Sequence, residues 1–133
     1  MKAMAVYRME RAREALSAAN VLFQTGHLTA YVNRLYYACF YAVSALLITR
    51  GISTSKHAHL RSLLHRDLVK TGLIPTELGR HFDRLFSNRQ EGDYADFVVF
   101  RADEVGPWLE ETTAFVDFID ALITRAGPAA TSE

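Results

Sequence analysis

Arg89 interrupts an otherwise apolar pattern. Leu78, Phe82, Leu85 and Phe86 step along one face of a helical segment. At about 100° per residue, Arg89 falls only roughly 20° off the same line. A guanidinium at the edge of an apolar face needs a carboxylate or an anionic ligand, because burying it unpaired is costly. Asp93 and Asp96 are close in sequence, and Glu10 or Glu14 on the first helical segment could reach it. Two chemistries are open to it: a structural ion pair, or an arginine held ready for a phosphate. Arg34 poses the same choice, with Asn33, Tyr31, Tyr37 and Phe40 around it. Paired to an acidic side chain it would be structural; beside Arg89 it would complete a shared anionic cleft.

A second cluster is His57, Arg61 and His65, spaced by four and so aligned on one helix face, while His59 points elsewhere. Lys56 and Arg66 are near, and Arg80, His81 and Arg84 could extend the patch. Such a stripe is either a solvated face or a contact for RNA phosphates or an acidic partner. It does not read as a metal site, because Arg61 separates the aligned histidines and no acidic residue joins them. Cys39 reads as a small core residue, the tyrosines at 31, 36, 37 and 41 as core or subunit packing, and Trp108 as a core anchor. No P-loop, dinucleotide fingerprint or nucleophile elbow appears, so no cofactor is expected.

The elements that must position these residues are helices. The chain has 133 residues, half of them hydrophobic, enough for one core without disulfides or metals. Its 15 basic and 15 acidic residues balance, so any nucleic-acid contact must come from a local patch. A single cysteine excludes an internal disulfide and fits a reduced, cytoplasmic setting. Apolar steps at Ala5, Met9, Ala12, Leu16, Ala19 and Phe23 predict a first helix over 5–24, ended by Gly26. Residues 28–50 predict a second helix whose only charge before its final residue is Arg34. A helix apolar all round belongs at the centre of a bundle or at a subunit interface. Asn33, Arg34 and the tyrosines argue against a membrane span.

After Gly51, a polar loop offers Ser and Thr as caps for a third helix over 57–70, closed by Gly72. Pro75 opens a fourth over 76–91, with Gly92–Phe97 as a turn or loop. The last helix spans 100–125, with Pro107 in its first turn and Val105, Trp108, Thr112, Phe115, Ile119 and Leu122 inward. The expectation is an all-α, up-and-down bundle of four to five helices around a central apolar helix. It occupies residues 1–126, with 127–133 as a flexible tail.

The segments Ala-Tyr-Val-Asn-Arg-Leu-Tyr-Tyr-Ala-Cys-Phe-Tyr-Ala (30–42), Ser-Lys-His (55–57), Val-Lys-Thr-Gly (69–72) and Arg-Gln-Glu-Gly-Asp-Tyr (89–94) together resemble HEPN-domain proteins. The match is to the subgroup closing in R-x-x-x-D-Y, over roughly residues 5–123. The resemblance implies a helical bundle, usually a homodimer, often encoded beside a minimal nucleotidyltransferase in a toxin–antitoxin pair. Catalytic members are metal-independent endoribonucleases, using an arginine, then four to six intervening residues, then a histidine, at the end of the fourth helix. Here Tyr94 stands where that histidine would be, and a phenol with an ordinary pKa near 10 is a poor proton shuttle at neutral pH. The phosphate-holding half of the motif is present as Arg89 and Asp93, with Arg34 as its neighbour; the proton-transferring half is not. That pattern points to a non-catalytic component that binds RNA, a nucleotide or a nucleotidyltransferase partner. The alternatives are an endoribonuclease using Arg89 with Tyr94, or with His81 or His57 brought in by the fold, and a structural oligomerisation domain. The resemblance also makes Tyr94 a candidate acceptor for a nucleotidyl group from the partner.

Overall fold

A computed structural model describes residues 2–94 and 99–131, the side chains of 90–94 and 126–131 excepted. Helix α1 spans Lys2–Gln24 and α2 Leu28–Thr49. Helix α3, His57–Leu63, runs directly into a π-helical segment, Leu64–Val69. Helix α4 spans Thr76–Tyr94, the single turn α5 Ala102–Val105, and α6 Trp108–Thr131. The described residues hold no strand. The all-α class and the central apolar helix are as the sequence predicts.

The topology follows from cross-helix contacts. Phe23 stacks near Tyr31 at 5.0 Å while Arg11 reaches Tyr41, so α1 and α2 are antiparallel. Arg13 bridges to Asp117 and Asp120 at 2.6 and 2.9 Å, while Phe23 lies against Gly106, so α6 opposes α1. His81 meets Thr112 and Arg84 meets Glu111, so α4 in turn opposes α6. The result is an up-and-down bundle of α1, α2, α4 and α6. Alanines dominate the inward face of α1 (Ala5, Ala12, Ala15, Ala19), which brings it close to α2. Helix α2 is buried on every side from Ala42 to Ile48, while its first half leaves one face partly exposed at Asn33, Arg34, Tyr37 and Tyr41. Its length and composition would suit a membrane span, but 72% of its most apolar stretch is covered by the other helices.

Helix ends obey the chain's punctuation. Gly26, Gly51 and Gly72 adopt φ of 78°, 80° and 86°, the left-handed geometry that lets a following N–H fold back on the last turn. His27 N–H bonds to Leu22 O and Ile52 N–H to Leu47 O in that way, each at 2.9 Å. Other boundaries differ from the sequence reading. Helix α4 runs through Gly92 to Tyr94 rather than stopping at Glu91. A glycine costs only about 1 kcal/mol inside a helix, which continuing hydrogen bonds can offset. The expected 100–125 helix divides at Gly106–Pro107, because proline cannot donate to the turn before it. The helical backbone of α6 continues to Thr131 through Gly127 and Pro128. Nor do Ser and Thr cap α3 from the side chain: its N-cap is Lys56, whose N–H bonds to Thr54 Oγ1.

The break between α5 and α6 leaves backbone carbonyls to satisfy. Tyr31, fully buried on α2, donates its hydroxyl toward Val105 O at 2.8 Å and Gly106 O at 3.1 Å. Burial also pushes the Tyr31 phenol up to about 12, so it remains a donor at any ordinary pH. Tyr31→Phe would strand those carbonyls, so urea unfolding should show a loss of about 1–3 kcal/mol with unchanged helicity. An unaltered midpoint would mean the break is held by packing alone.

Candidate functional site

Tyr36 organises the site. It is fully buried on α2, and its ring touches Tyr37, Phe40, Phe82, Phe86 and His57, with centroids 5.3–6.1 Å apart. Such a position follows from α2 being apolar on all sides: a tyrosine there must sink its ring and find a partner for its hydroxyl. That partner is Nδ1 of His57, at 2.7 Å. His57, the first residue of α3, packs at a 30° tilt on Phe40 at 4.6 Å and edge-on to Tyr37 at 5.8 Å. From α4, the Arg89 guanidinium sits over the Tyr36 ring, 4.8 Å from its centroid. The fold thus brings an imidazole, a phenol and a guanidinium from three helices to one corner.

The electrostatics are coupled. Burial pushes the Tyr36 phenol well above its ordinary value, although Arg89 pulls the other way. A buried hydroxyl with one partner must spend its hydrogen there, so Tyr36 donates to His57 Nδ1. The imidazole then carries its proton on Nε2, which has no hydrogen-bond partner among the described residues. Burial and then the Arg89 charge hold the His57 pKa below its ordinary value. At neutral pH the corner therefore presents a neutral N–H donor beside a cation.

The other expected site residues fall in three places. Arg34 lies on the adjacent ring, Tyr37, at 5.0 Å, with no carboxylate at ion-pair distance among the described residues. Its default acidic partner is thus absent there, and Arg34 and Arg89 occupy neighbouring rings. Asp93 and Tyr94 lie outside the described side chains, though their backbone closes α4. Glu14, one of the acids expected to reach Arg89, instead lies 3.8 Å from Arg11.

The basic patch divides. Arg61 Nε and His65 Nε2 both donate to one oxygen of Asp83, at 2.7 and 2.8 Å. Arg61 also covers Phe86 at 5.1 Å. Arg80 and Arg84 line a separate open cleft of about 270 Å³ with Glu77, His81 and Glu111. Successive helical residues point roughly 100° apart, so Asp83 turns to α3 while Arg84 turns to α6. His57, Arg61, His65, Arg80 and Arg84 therefore form no single basic surface.

His81 is almost fully buried. Thr112 Oγ1 donates to Trp108 O, so it accepts from His81 Nε2, and Nδ1 accepts from Arg84. Arg84 also pairs with Glu111 at 2.8 Å and covers Trp108 at 4.6 Å. Burial, then Arg84, lowers the His81 pKa to about 4, so its 3.6 Å approach to Glu111 is not an ion pair at neutral pH. Among the described residues no group of His, Cys, Asp and Glu could hold a metal ion.

The comparison with known proteins decides the family. The HEPN domain model matches residues 5–122, most of the chain. The chain belongs to the HEPN-domain family. A UPF0332 protein of Thermotoga maritima is 43% identical over 117 residues, spanning 88% of this chain and 89% of the relative. A protein of Methanocaldococcus jannaschii named "putative toxin" is 28% identical over 109 residues, 82% of this chain and 74% of its own. A second of that name from the same organism is 35% identical over 86 residues, covering 65% and 64%. In this HEPN domain no histidine follows Arg89 closely in sequence, and the imidazole that shares the Tyr36 ring with Arg89 is that of His57. Its signal was a tyrosine hydroxyl on an apolar helix that needed a polar partner.

Arg89→Gln removes a positive charge near the imidazole, so NMR titration of His57 should show its pKa rise; an unchanged value would separate the two groups. For His81, the folded pKa lies below the unfolded one, so the unfolded chain takes the proton first as pH falls. Stability from this group is present above about pH 6.5 and declines toward pH 4, by on the order of 3 kcal/mol. His81→Gln should flatten that part of an unfolding-versus-pH curve, and an identical slope would exclude His81 as its source.

Proposed function

We propose that this HEPN domain is the toxin-like component of a nucleotidyltransferase-linked pair, and that it binds the phosphate of RNA or a nucleotide without cleaving it. The observation that carries this reading is the Tyr36 hydroxyl on His57 Nδ1. With Nδ1 occupied, the imidazole offers Nε2–H as a second donor beside the Arg89 guanidinium, which suits a phosphate oxygen. A general base would need a free nitrogen lone pair instead. Similarity to relatives named as toxins supports the toxin-like part. The proposed setting is the cytoplasm, with the domain as a homodimer and a minimal nucleotidyltransferase as partner.

A metal-independent endoribonuclease is the second reading, favoured by His57 lying beside Arg89. Here Arg89 would hold the charge of the phosphate while His57 moved a proton at the ribose 2′-hydroxyl or the leaving oxygen.

Calorimetry with uridine monophosphate, alongside RNA incubation in EDTA, separates the two. The binding reading expects affinity that falls about tenfold or more in Arg89→Gln, with no cleavage. Cleavage lost in both Arg89→Gln and His57→Gln would establish the second reading, and absence of any binding would remove the first. A bound phosphate raises the His57 pKa from its depressed value, so affinity for diuridine monophosphate, whose phosphodiester does not itself titrate between pH 8 and 5, should strengthen as pH is lowered. Affinity independent of pH from 8 to 5 would place the ligand away from His57.

A further inference from the structure

Seven arginines of this HEPN domain show two kinds of partner. Arg13, Arg61, Arg66, Arg84 and Arg101 each have a carboxylate oxygen within 3.2 Å. Arg11 and Arg34 are held on tyrosine rings instead. Arg34 lies 5.0 Å from the Tyr37 centroid and Arg11 5.3 Å from that of Tyr41. The nearest acid to Arg11 is Glu14 at 3.8 Å, itself 71% exposed, and its hydrogen bond is to the Tyr41 hydroxyl at 3.4 Å. In a chain of zero net charge, both cations are placed on aromatic faces; Arg34 has no ion-pair partner among the described residues, and Arg11 has only the exposed Glu14.

They also share a line. Tyr37 and Tyr41 are one helical turn apart, with ring centroids 6.0 Å from each other, and both are half-buried. Arg34 precedes Tyr37 by a turn, so the stripe covers roughly 10 Å of α2. At its other side Tyr37 abuts His57 and Tyr36, the corner carrying Arg89. The corner therefore abuts the middle of the stripe at Tyr37, with Arg34 a turn to one side and Tyr41, carrying Arg11, a turn to the other.

We infer that this stripe is a track for single-stranded nucleic acid, passing the phosphate corner at Tyr37. Alternating guanidinium and ring is the composition that binds single strands, the cations meeting phosphates while bases stack on rings or guanidinium planes. A lone nucleotide would use the corner only; an oligonucleotide would use both. A duplex, whose bases are already stacked, gains nothing from the rings. The inference rests on the phosphate-binding reading for its direction but makes a separate demand, namely that affinity grows with strand length.

Fluorescence anisotropy tests this with labelled uridine oligonucleotides of two, six and twelve residues, a duplex, and unlabelled uridine monophosphate as competitor. The wild type should bind the hexamer at least tenfold more tightly than the dinucleotide, and more tightly than the duplex. Arg11→Gln and Tyr41→Leu, checked for native melting, should lose that gain while uridine monophosphate still binds. Each removed arginine should also reduce the slope of log affinity against log salt by about one. Affinity that is flat with length, or unchanged in both variants, overturns the track and leaves the corner standing. Length-dependent binding that survives Arg89→Gln but fails in the stripe variants keeps the track and removes the corner. Variants that shift from dimer to monomer on sedimentation, while each chain binds the hexamer as before, identify the stripe as a subunit contact and overturn the proposal.

Discussion

A tyrosine in the middle of an apolar helix must solve two problems at once. Its ring gains by leaving water, while its hydroxyl loses unless a partner goes with it. At Tyr36 the first is met by four other aromatic rings and the second by His57. That one pairing fixes where α3 begins against α2, which imidazole nitrogen faces outward, and which ring carries Arg89. Tyr31, also fully buried on α2, solves the same problem differently: its hydroxyl takes the carbonyls of the broken turn before α6. Two buried phenols on one helix thus anchor the two irregular parts of the bundle, α3 and the α5–α6 junction.

The same constraint accounts for the placement of positive charge. An aromatic face accepts a guanidinium for roughly 0.5–2 kcal/mol, enough to hold it at a partly dry surface. Arg34, Arg11 and Arg89 all lie on tyrosine rings of α2. A close carboxylate would hold an arginine more tightly and cancel its charge, as Asp83 does for Arg61. Arg34 and Arg11, held on rings, keep their field, and that leaves the α2 face suited to an anion.

Much of the architecture could be read from sequence because its causes are local. Helix ends at Gly26, Gly51 and Gly72 need only a left-handed φ, which the residue type itself advertises. The burial of α2 follows from its lack of charge. Arg89 was legible as an anomaly because the apolar line from Leu78 is local too. What escaped depends on contacts between distant elements. His57 read both as one member of a basic stripe and, with His81, as an alternative partner for Arg89; the choice was not legible until Tyr36, 21 residues earlier, claimed its Nδ1. The stripe itself dissolved because Asp83 lies across from Arg61 and His65, and Glu111 across from Arg84. The π-helical turn at Leu64–Val69 has no period in the sequence to betray it. There Gly79 admits α4 closely: a Cβ on it would lie 3.1 Å from Val69 and 3.2 Å from His65. The proline break at 107 was visible, but not the tyrosine that makes it tolerable.

Membership of the HEPN family fixes the frame within which this corner must work, and the missing histidine after Arg89 sets the question it must answer. The answer turns on a single proton: whether the imidazole beside Arg89 on Tyr36 shows a ligand an N–H or a lone pair. Nitrogen-15 NMR of the His57 ring reads that directly at neutral pH, before any ligand is added. A pyrrole-like Nε2 with a pyridine-like Nδ1, converting to a mixture of tautomers in Tyr36→Phe, is the result expected of a donor held in place by the phenol. A pyridine-like Nε2 in the wild type would contradict the account, making His57 a poised base and the corner a site built for proton transfer.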